Sequence, residues 1–184
     1  YGDEKYFQIE IEKLNDHMDG GSRPGYFQGI TLVVNKLFNI VQPDVAVFGQ
    51  KDIQQFRIIS QMVKEFNHDV QLLMAPIARA DDGLALSSRN AYLTEEERII
   101  APSLYRSLRY VEKQLLEGVK EPGLLLKHQK SELEEKGLTF DYLNVYAMKE
   151  MTPVSRIEKG NQYIIAGAVY AGMTRLIDNI LIQL

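Results

Sequence analysis

A chain of 184 residues has room for one large domain or two small ones. At that size roughly 70% of the unfolded surface is buried on folding, so no disulfide or metal is needed as a staple. Hydrophobic residues make up 45% and charged residues 25%, a globular composition that argues against disorder. The 21 basic and 25 acidic side chains leave a net charge of −4, which gives no support to a nucleic-acid binder. Cysteine is absent, which excludes disulfides, thiolate zinc sites and a cysteine nucleophile and fits a reducing compartment. No apolar run approaches the roughly 18–20 residues of a membrane span. Tyr1 to Glu12 is charged and broken, so no signal peptide is expected there.

Lys5 to Ile11 alternates in the manner of a strand, with Phe7, Ile9 and Ile11 on one face. Gly20 to Gly25 is turn chemistry. Ile30, Val33, Val34, Leu37, Phe38 and Val41 recur at helical spacing, and Pro43-Asp44 ends that helix. Val45 to Phe48 is a short apolar run of the kind found in strands buried on both faces. Asp52, with Gln55 three residues on, matches a capping box for the next helix, whose apolar stripe is Ile53, Phe56, Ile59, Val63 and Phe66. Val70 to Ala75 is a second apolar strand. Strand, helix and strand with short connections predict a βαβ unit with parallel strands.

The texture changes after about Pro76. A polar loop from Arg79 to Asn90 leads to Thr94 and Glu97, a capping box that opens a helix. Pro102 kinks or restarts it, and Gly118 ends it. A further helix is expected from Pro122 to Lys136, closed by Gly137. Strands are expected at Thr139 to Tyr146, Tyr163 to Tyr170 and Thr174 to Leu184. The predicted class is α/β: a Rossmann-like parallel-sheet segment (1–76), followed by a small α+β domain with an antiparallel sheet (77–184).

Two segments carry candidate chemistry. Gly49-Gln50-Lys51-Asp52 follows the carboxyl end of a strand and opens a helix, the place where open α/β sheets bind ligands. Free backbone N–H groups there suit phosphate, and Lys51 adds a full charge. The same four residues also read as a turn, a solvated lysine and a cap. Ser87-Ser88-Arg89-Asn90 offers two hydroxyls and a guanidinium to phosphate oxygens, or is simply a solvated loop. Gln55 either caps its helix or reaches a ligand's hydroxyl or carboxylate. His17, His68 and His128 have no metal-ligand spacing, so no metal ligand is assigned among them. Neither a G-x-S-x-G elbow nor a Walker or dinucleotide glycine loop occurs.

Taken together, five stretches resemble the pantothenate synthetase family, the pantoate–β-alanine ligases. They are Arg23 to Gly29 (RPGYFQG), Lys36 to Asp44 (KLFNIVQPD), Phe48 to Gln55 (FGQKDIQQ), Asp82 to Asn90 (DGLALSSRN) and Arg175 to Asn179 (RLIDN). They run in the family's order and spacing, from about Gly20 to the end. The resemblance implies an ATP-dependent ligase, with ATP and Mg²⁺ as cofactors, that makes pantoyl adenylate and pyrophosphate. The amine of β-alanine then gives pantothenate and AMP. It implies ATP contacts at Gly49, Gln50, Lys51 and Asp52, and at Ala78, Leu86, Ser87, Ser88 and Arg89. Ala78 touches the adenine side through its backbone. The Leu86 to Arg89 stretch is similar to the KMSKS loop of class I aminoacyl-tRNA synthetases. Gln55 matches a pantoate position, and Lys51 and Arg89 are the expected catalytic cations. The second region is expected to close over the first and keep water from the adenylate. A cytoplasmic homodimer is implied when full-length, with small-molecule partners and neither nucleic acid nor membrane.

Two departures qualify the match. The family's earlier half carries an H-x-G-H motif, and no histidine here has a second one three residues on. The chain is therefore expected to be a C-terminal portion, inactive on its own. Tyr26 stands where members often have His, and Gln50 replaces a common Glu.

Overall fold

The computed structural model describes residues 7–184. The chain divides into two compact units, Tyr1–Ala75 and Pro76–Leu184. In the first, a short helix α1 (Met18–Ser22) precedes α2 (Tyr26–Val41), which follows Gly25 at φ 79°. The left-handed Gln42 closes α2 by donating its N–H to the Phe38 carbonyl, and Pro43 prevents continuation. Strand β1 (Val45–Gly49), helix α3 (Ile53–Glu65) and strand β2 (Gln71–Ala75) complete the unit. β1 and β2 pair in parallel, from Val45 opposite Gln71 to Gly49 opposite Ala75. This is the arrangement read from strand, helix and strand in the sequence.

The core of this unit is Phe38, Ile59 and Met62, against which Ile30, Val34, Ala46, Phe48, Val63, Val70 and Leu72 pack. Only one face of the strand pair is covered, because α2 and α3 contribute to the same cluster. Val45, Val47 and Leu73 point the other way and stay exposed, Val47 at 63%. The expectation of a strand buried on both faces is corrected accordingly. His68 bonds the Asn35 amide oxygen at 2.8 Å and stands edge-on to Phe38, tying the residues after α3 to α2.

Two further sequence expectations change. Residues 7–12 form no strand, and Lys5 and Tyr6 lie outside the described residues. Gly20 and Gly21 belong to α1 rather than to a turn, and only Arg23 to Gly25 lies between the two helices. What organises this stretch is Gln54, which is 3% exposed. Its amide donates to the Leu14 and His17 carbonyls, both at 2.8 Å, and its oxygen accepts from the Gly20 N–H at 3.2 Å. Truncating Gln54→Ala strips partners from three backbone groups. It is expected to cost about 2–3 kcal/mol, read as a lower urea midpoint and as faster exchange of the Gly20 amide.

In the second unit, helices α4 (Glu95–Ile100), α5 (Ser103–Leu116) and α6 (Gly123–Glu135) precede strands β3 (Leu138–Ala147), β4 (Gln162–Ala171) and β5 (Thr174–Gln183). The Thr94–Glu97 capping box forms in both directions. Pro102 separates α4 from α5, and left-handed Gly118 and Gly137 follow the ends of α5 and α6. The strands make an antiparallel sheet in the order β3-β4-β5. Register slips at Asp141, a bulge between Phe140 and Tyr142. Arg175 on β5 reaches across the central strand to that carboxylate at 2.7 Å. Helices α5 and α6 bury Leu104, Leu108, Val111, Leu126 and Leu133 against Leu143, Val145, Ile165 and Val169. Gly167 lets α5 come close: a Cβ there would lie 2.9 Å from a Leu104 methyl and 3.0 Å from a Leu143 methyl.

Candidate active site

The first candidate segment leaves β1 at Gly49 and continues as a 3-10 turn, Gln50–Asp52, before α3 begins. The turn displaces Asp52 from the geometry of a capping residue, and its side chain makes no cap hydrogen bond. The Asp52–Gln55 capping box is therefore corrected, and the capping alternative for Gln55 falls with it. Gly49 and Asp52 are exposed, while Gln50, Lys51 and Gln55 are half-buried. A Cβ at Gly49 would meet nothing within 4 Å, so the approach to this backbone is open. Gln54 faces inward to the contacts above. Gln55, one position on, lies about 100° further around the helix and is not held by them. Upstream, the Arg23 guanidinium stacks 3.3 Å from the Tyr26 ring centroid, which gives Tyr26 a cation to cover.

The second segment is a closed loop within the second unit. Arg79 and Ala85 form an antiparallel bridge, and the Leu86 N–H donates to the Ala78 carbonyl at 2.8 Å. Ala78, which precedes the DGLALSSRN stretch, and Leu86 within it are thus direct neighbours. Inside the loop the Gly83 N–H donates to Ala80, and the Ala80 N–H to Leu84, each at 2.9 Å. Leu84 and Ala85 are buried, and Leu84 anchors the loop to the core. The Arg98 guanidinium beside Asp82 holds that carboxyl below the ordinary carboxylate range, and the Leu84 N–H adds to the effect. Asn90 donates to the Ala85 carbonyl at 3.1 Å and closes the far end.

Ser87 precedes a 3-10 turn, Ser88–Tyr92, and its oxygen accepts the Arg89 N–H at 3.2 Å. That bond uses a lone pair and leaves the hydroxyl proton available to donate. Ser88, Arg89 and Leu86 are exposed. Among the described residues the Arg89 side chain pairs with no carboxylate. A fixed loop thus presents a guanidinium and hydroxyls with donor capacity to spare, a set suited to a polyanion. No cluster of three or more His, Asp or Glu capable of holding a metal occurs among the described residues.

Sequence reasoning missed Gln54, Arg79 and Asp178. Gln54 lies four residues before Ile58 and eight before Met62, so its buried position was readable from helical period, but its partners were not. Arg79 and Asp178 meet across 99 positions of chain, a separation that no local pattern reports.

The fold is a parallel α/β segment followed by an α+β unit with its own antiparallel sheet. A sequence profile described as pantoate-beta-alanine ligase matches residues 1–181. The chain belongs to the pantoate–beta-alanine ligase family. It is 44% identical over 177 residues to the pantothenate synthetase of Pseudomonas fluorescens Pf-5, covering 96% of this chain and 61% of that protein. It is 45% identical over 176 residues to that of Stutzerimonas stutzeri, with the same coverage. Among solved structures, a pantothenate synthetase from Thermus thermophilus superposes with TM-score 0.85 at 36% identity, over 95% of this chain and 63% of that one. A pantoate-beta-alanine ligase from Francisella tularensis, complexed with beta-gamma ATP and beta-alanine, gives TM-score 0.74 at 30% identity, over 97% and 59%. The chain therefore spans about 61% of the length of the curated relatives it matches.

Proposed function

We propose that this chain supplies part of an ATP-dependent ligase that condenses pantoate with β-alanine through a pantoyl adenylate. The single observation that carries this is the built loop from Ala78 to Asn90. It holds Ser87, Ser88 and Arg89 on a fixed backbone, with Ser88 and Arg89 exposed. In the proposed reaction a pantoate carboxylate oxygen attacks the α-phosphorus of ATP and pyrophosphate leaves. The amine of β-alanine then attacks the acyl carbon, and AMP leaves with its bonding electron pair. Negative charge grows on the phosphoryl oxygens and on the pyrophosphate in the first step. Lys51, Arg89 and the two serine hydroxyls are the donors assigned to that charge. Arg89 grips a phosphate through two N–H groups at once, which a lysine at its place cannot do. Gly49, Gln50 and Asp52 are assigned to ATP through the opening of α3, Ala78 to the adenine side, and Leu86 to ATP together with Ser87, Ser88 and Arg89. Gln55, freed from capping, is assigned to pantoate, where it turns the carboxylate into line. Mg²⁺ prefers phosphate oxygens and water to a protein cage, and we assign it to the triphosphate. A cytoplasmic homodimer for the whole protein belongs to the same reading. No helix among the described residues is long and apolar enough to cross a membrane.

The family's H-x-G-H histidines have no counterpart in these 184 residues. AMP release from pantoate, β-alanine and Mg·ATP is therefore expected to be slow or absent with this chain alone. It should be robust in a chain of the relatives' full length. Robust turnover by the 184 residues alone overturns the need for the other part. Preference for a different acid in a substrate panel overturns the assignment to pantoate.

A further inference from the structure

The RLIDN stretch, Arg175 to Asn179, has no place in the chemistry above, yet it holds the buried half of an ion pair that joins the candidate loop to the sheet. Asp178 lies on β5 with its side chain 4% exposed. The Arg79 guanidinium meets it with both forks, Nη1 to Oδ2 at 2.6 Å and Nη2 to Oδ1 at 2.9 Å. The same Nη1 donates to the Gly83 carbonyl at 3.0 Å. The face of the guanidinium lies 3.8 Å from the centre of the Tyr105 ring, on α5. Tyr105 also closes on Gly83, which sits at φ 93°; a Cβ there would come within 2.4 Å of the ring. Asp178 accepts in addition from the Asn179 N–H at 2.7 Å.

Arg79 is thus turned inward, engaged by a carboxylate, a carbonyl and an aromatic face, and its side chain is only 19% exposed. It sits between Ala78, whose carbonyl holds Leu86, and Gly83, whose carbonyl it holds itself. One cation therefore fastens both limbs of the loop to β5. A bidentate pair fixes direction as well as distance, which a single hydrogen bond does not. Ordering a loop when a ligand arrives weakens binding, and a loop ordered beforehand avoids that loss.

We propose that Asp178, acting through Arg79, is a positioning residue that presets the Ser87–Arg89 segment for the nucleotide's phosphates. This rests on the assignment of that segment to ATP. The test uses hydrogen exchange resolved along the sequence in the 184-residue chain, and titration with Mg·ATP in a chain of the relatives' full length. Asp178→Asn keeps the shape and an acceptor for Asn179 but loses the charge. Arg79→Lys keeps the charge but loses the fork. Both are expected to speed exchange at Gly83, Leu84 and Leu86 while β3 and β4 keep their rates. Both are expected to weaken Mg·ATP about tenfold. Should Asp178→Asn fail to fold, Arg79→Lys decides by the same two readouts. Wild-type exchange in the loop overturns the proposal. So does faster exchange across the whole unit, which marks a merely structural pair, and so does a loosened loop with unchanged ATP affinity. Failure of that full-length chain, unaltered, to bind Mg·ATP is separate: it removes the nucleotide assignment, and this proposal with it.

Discussion

Replacing Arg89 with alanine is expected to lower kcat for pantoyl-adenylate formation by roughly 10²–10³-fold, a loss of about 3–4 kcal/mol of transition-state stabilisation. Lys51→Ala is expected to do the same. The measurement is pyrophosphate release in single turnover, in a chain of the family's full length and with saturating pantoate and Mg·ATP. The size follows from where the charge appears. In ground-state ATP the phosphates are already solvated and metal-bound, so a protein cation gains little there. As the α-phosphorus is attacked in the proposed reaction, new charge forms on the phosphoryl oxygens, and a preset donor stabilises it without reorganising. The fold should survive both changes, because Arg89 is exposed and pairs with no carboxylate among the described residues, and Lys51 is only half-buried. Arg89→Lys separates charge from geometry: recovery of only part of the rate is expected, since the ammonium cannot make the paired contact. Unchanged rates in both alanine variants would return Lys51 and Arg89 to the status of surface charges.

The largest stability effect is expected at Leu108. It is fully buried in α5, inside the cluster that joins the two long helices to the antiparallel sheet. Leu108→Ala removes three carbons from a close-packed site and leaves a cavity that rigid neighbours cannot fill, so a cost of about 3 kcal/mol is expected. The check is the urea midpoint of the second unit at constant slope. Leu124, on α6 and 83% exposed, is the internal comparison. Leu124→Ala is the same chemical deletion, and a change of no more than about 0.5 kcal/mol is expected. Equal effects at the two positions would show that the α5 face is not the core of this unit.

How much of this was legible in the sequence depended on range. Signals acting over three or four residues were readable: the Thr94–Glu97 capping box, the stop at Pro43, the restart at Pro102, and the glycines after α5 and α6. The parallel pairing of β1 and β2 was readable too, because two apolar runs with a helix between them leave few other topologies. Asp52 and Gln55 misled because a capping box needs a particular backbone entry as well as two residue types. The 3-10 turn at Gln50–Asp52 gives a different one. Val45 to Phe48 misled because an apolar run reports what a strand prefers to bury, whereas α2 and α3 cover only one of its faces. For the candidate site, residue types pointed to Lys51, Ser87, Ser88 and Arg89. The pairing of Ala78 with Leu86 and the backbone partners of Gln54 came only with coordinates. The pairing of Arg79 with Asp178 left no trace in any local pattern, because their meeting is decided by the register of β5 in the sheet.

That last pairing joins positions 99 apart in the chain. Its genetic consequence is that a frameshift, nonsense change or missense change touching β5 strikes a turn encoded about three hundred bases upstream. On the proposed nucleotide role, a screen for loss of nucleotide handling would return alleles at both ends of this unit, and suppressors of one group should be sought in the other.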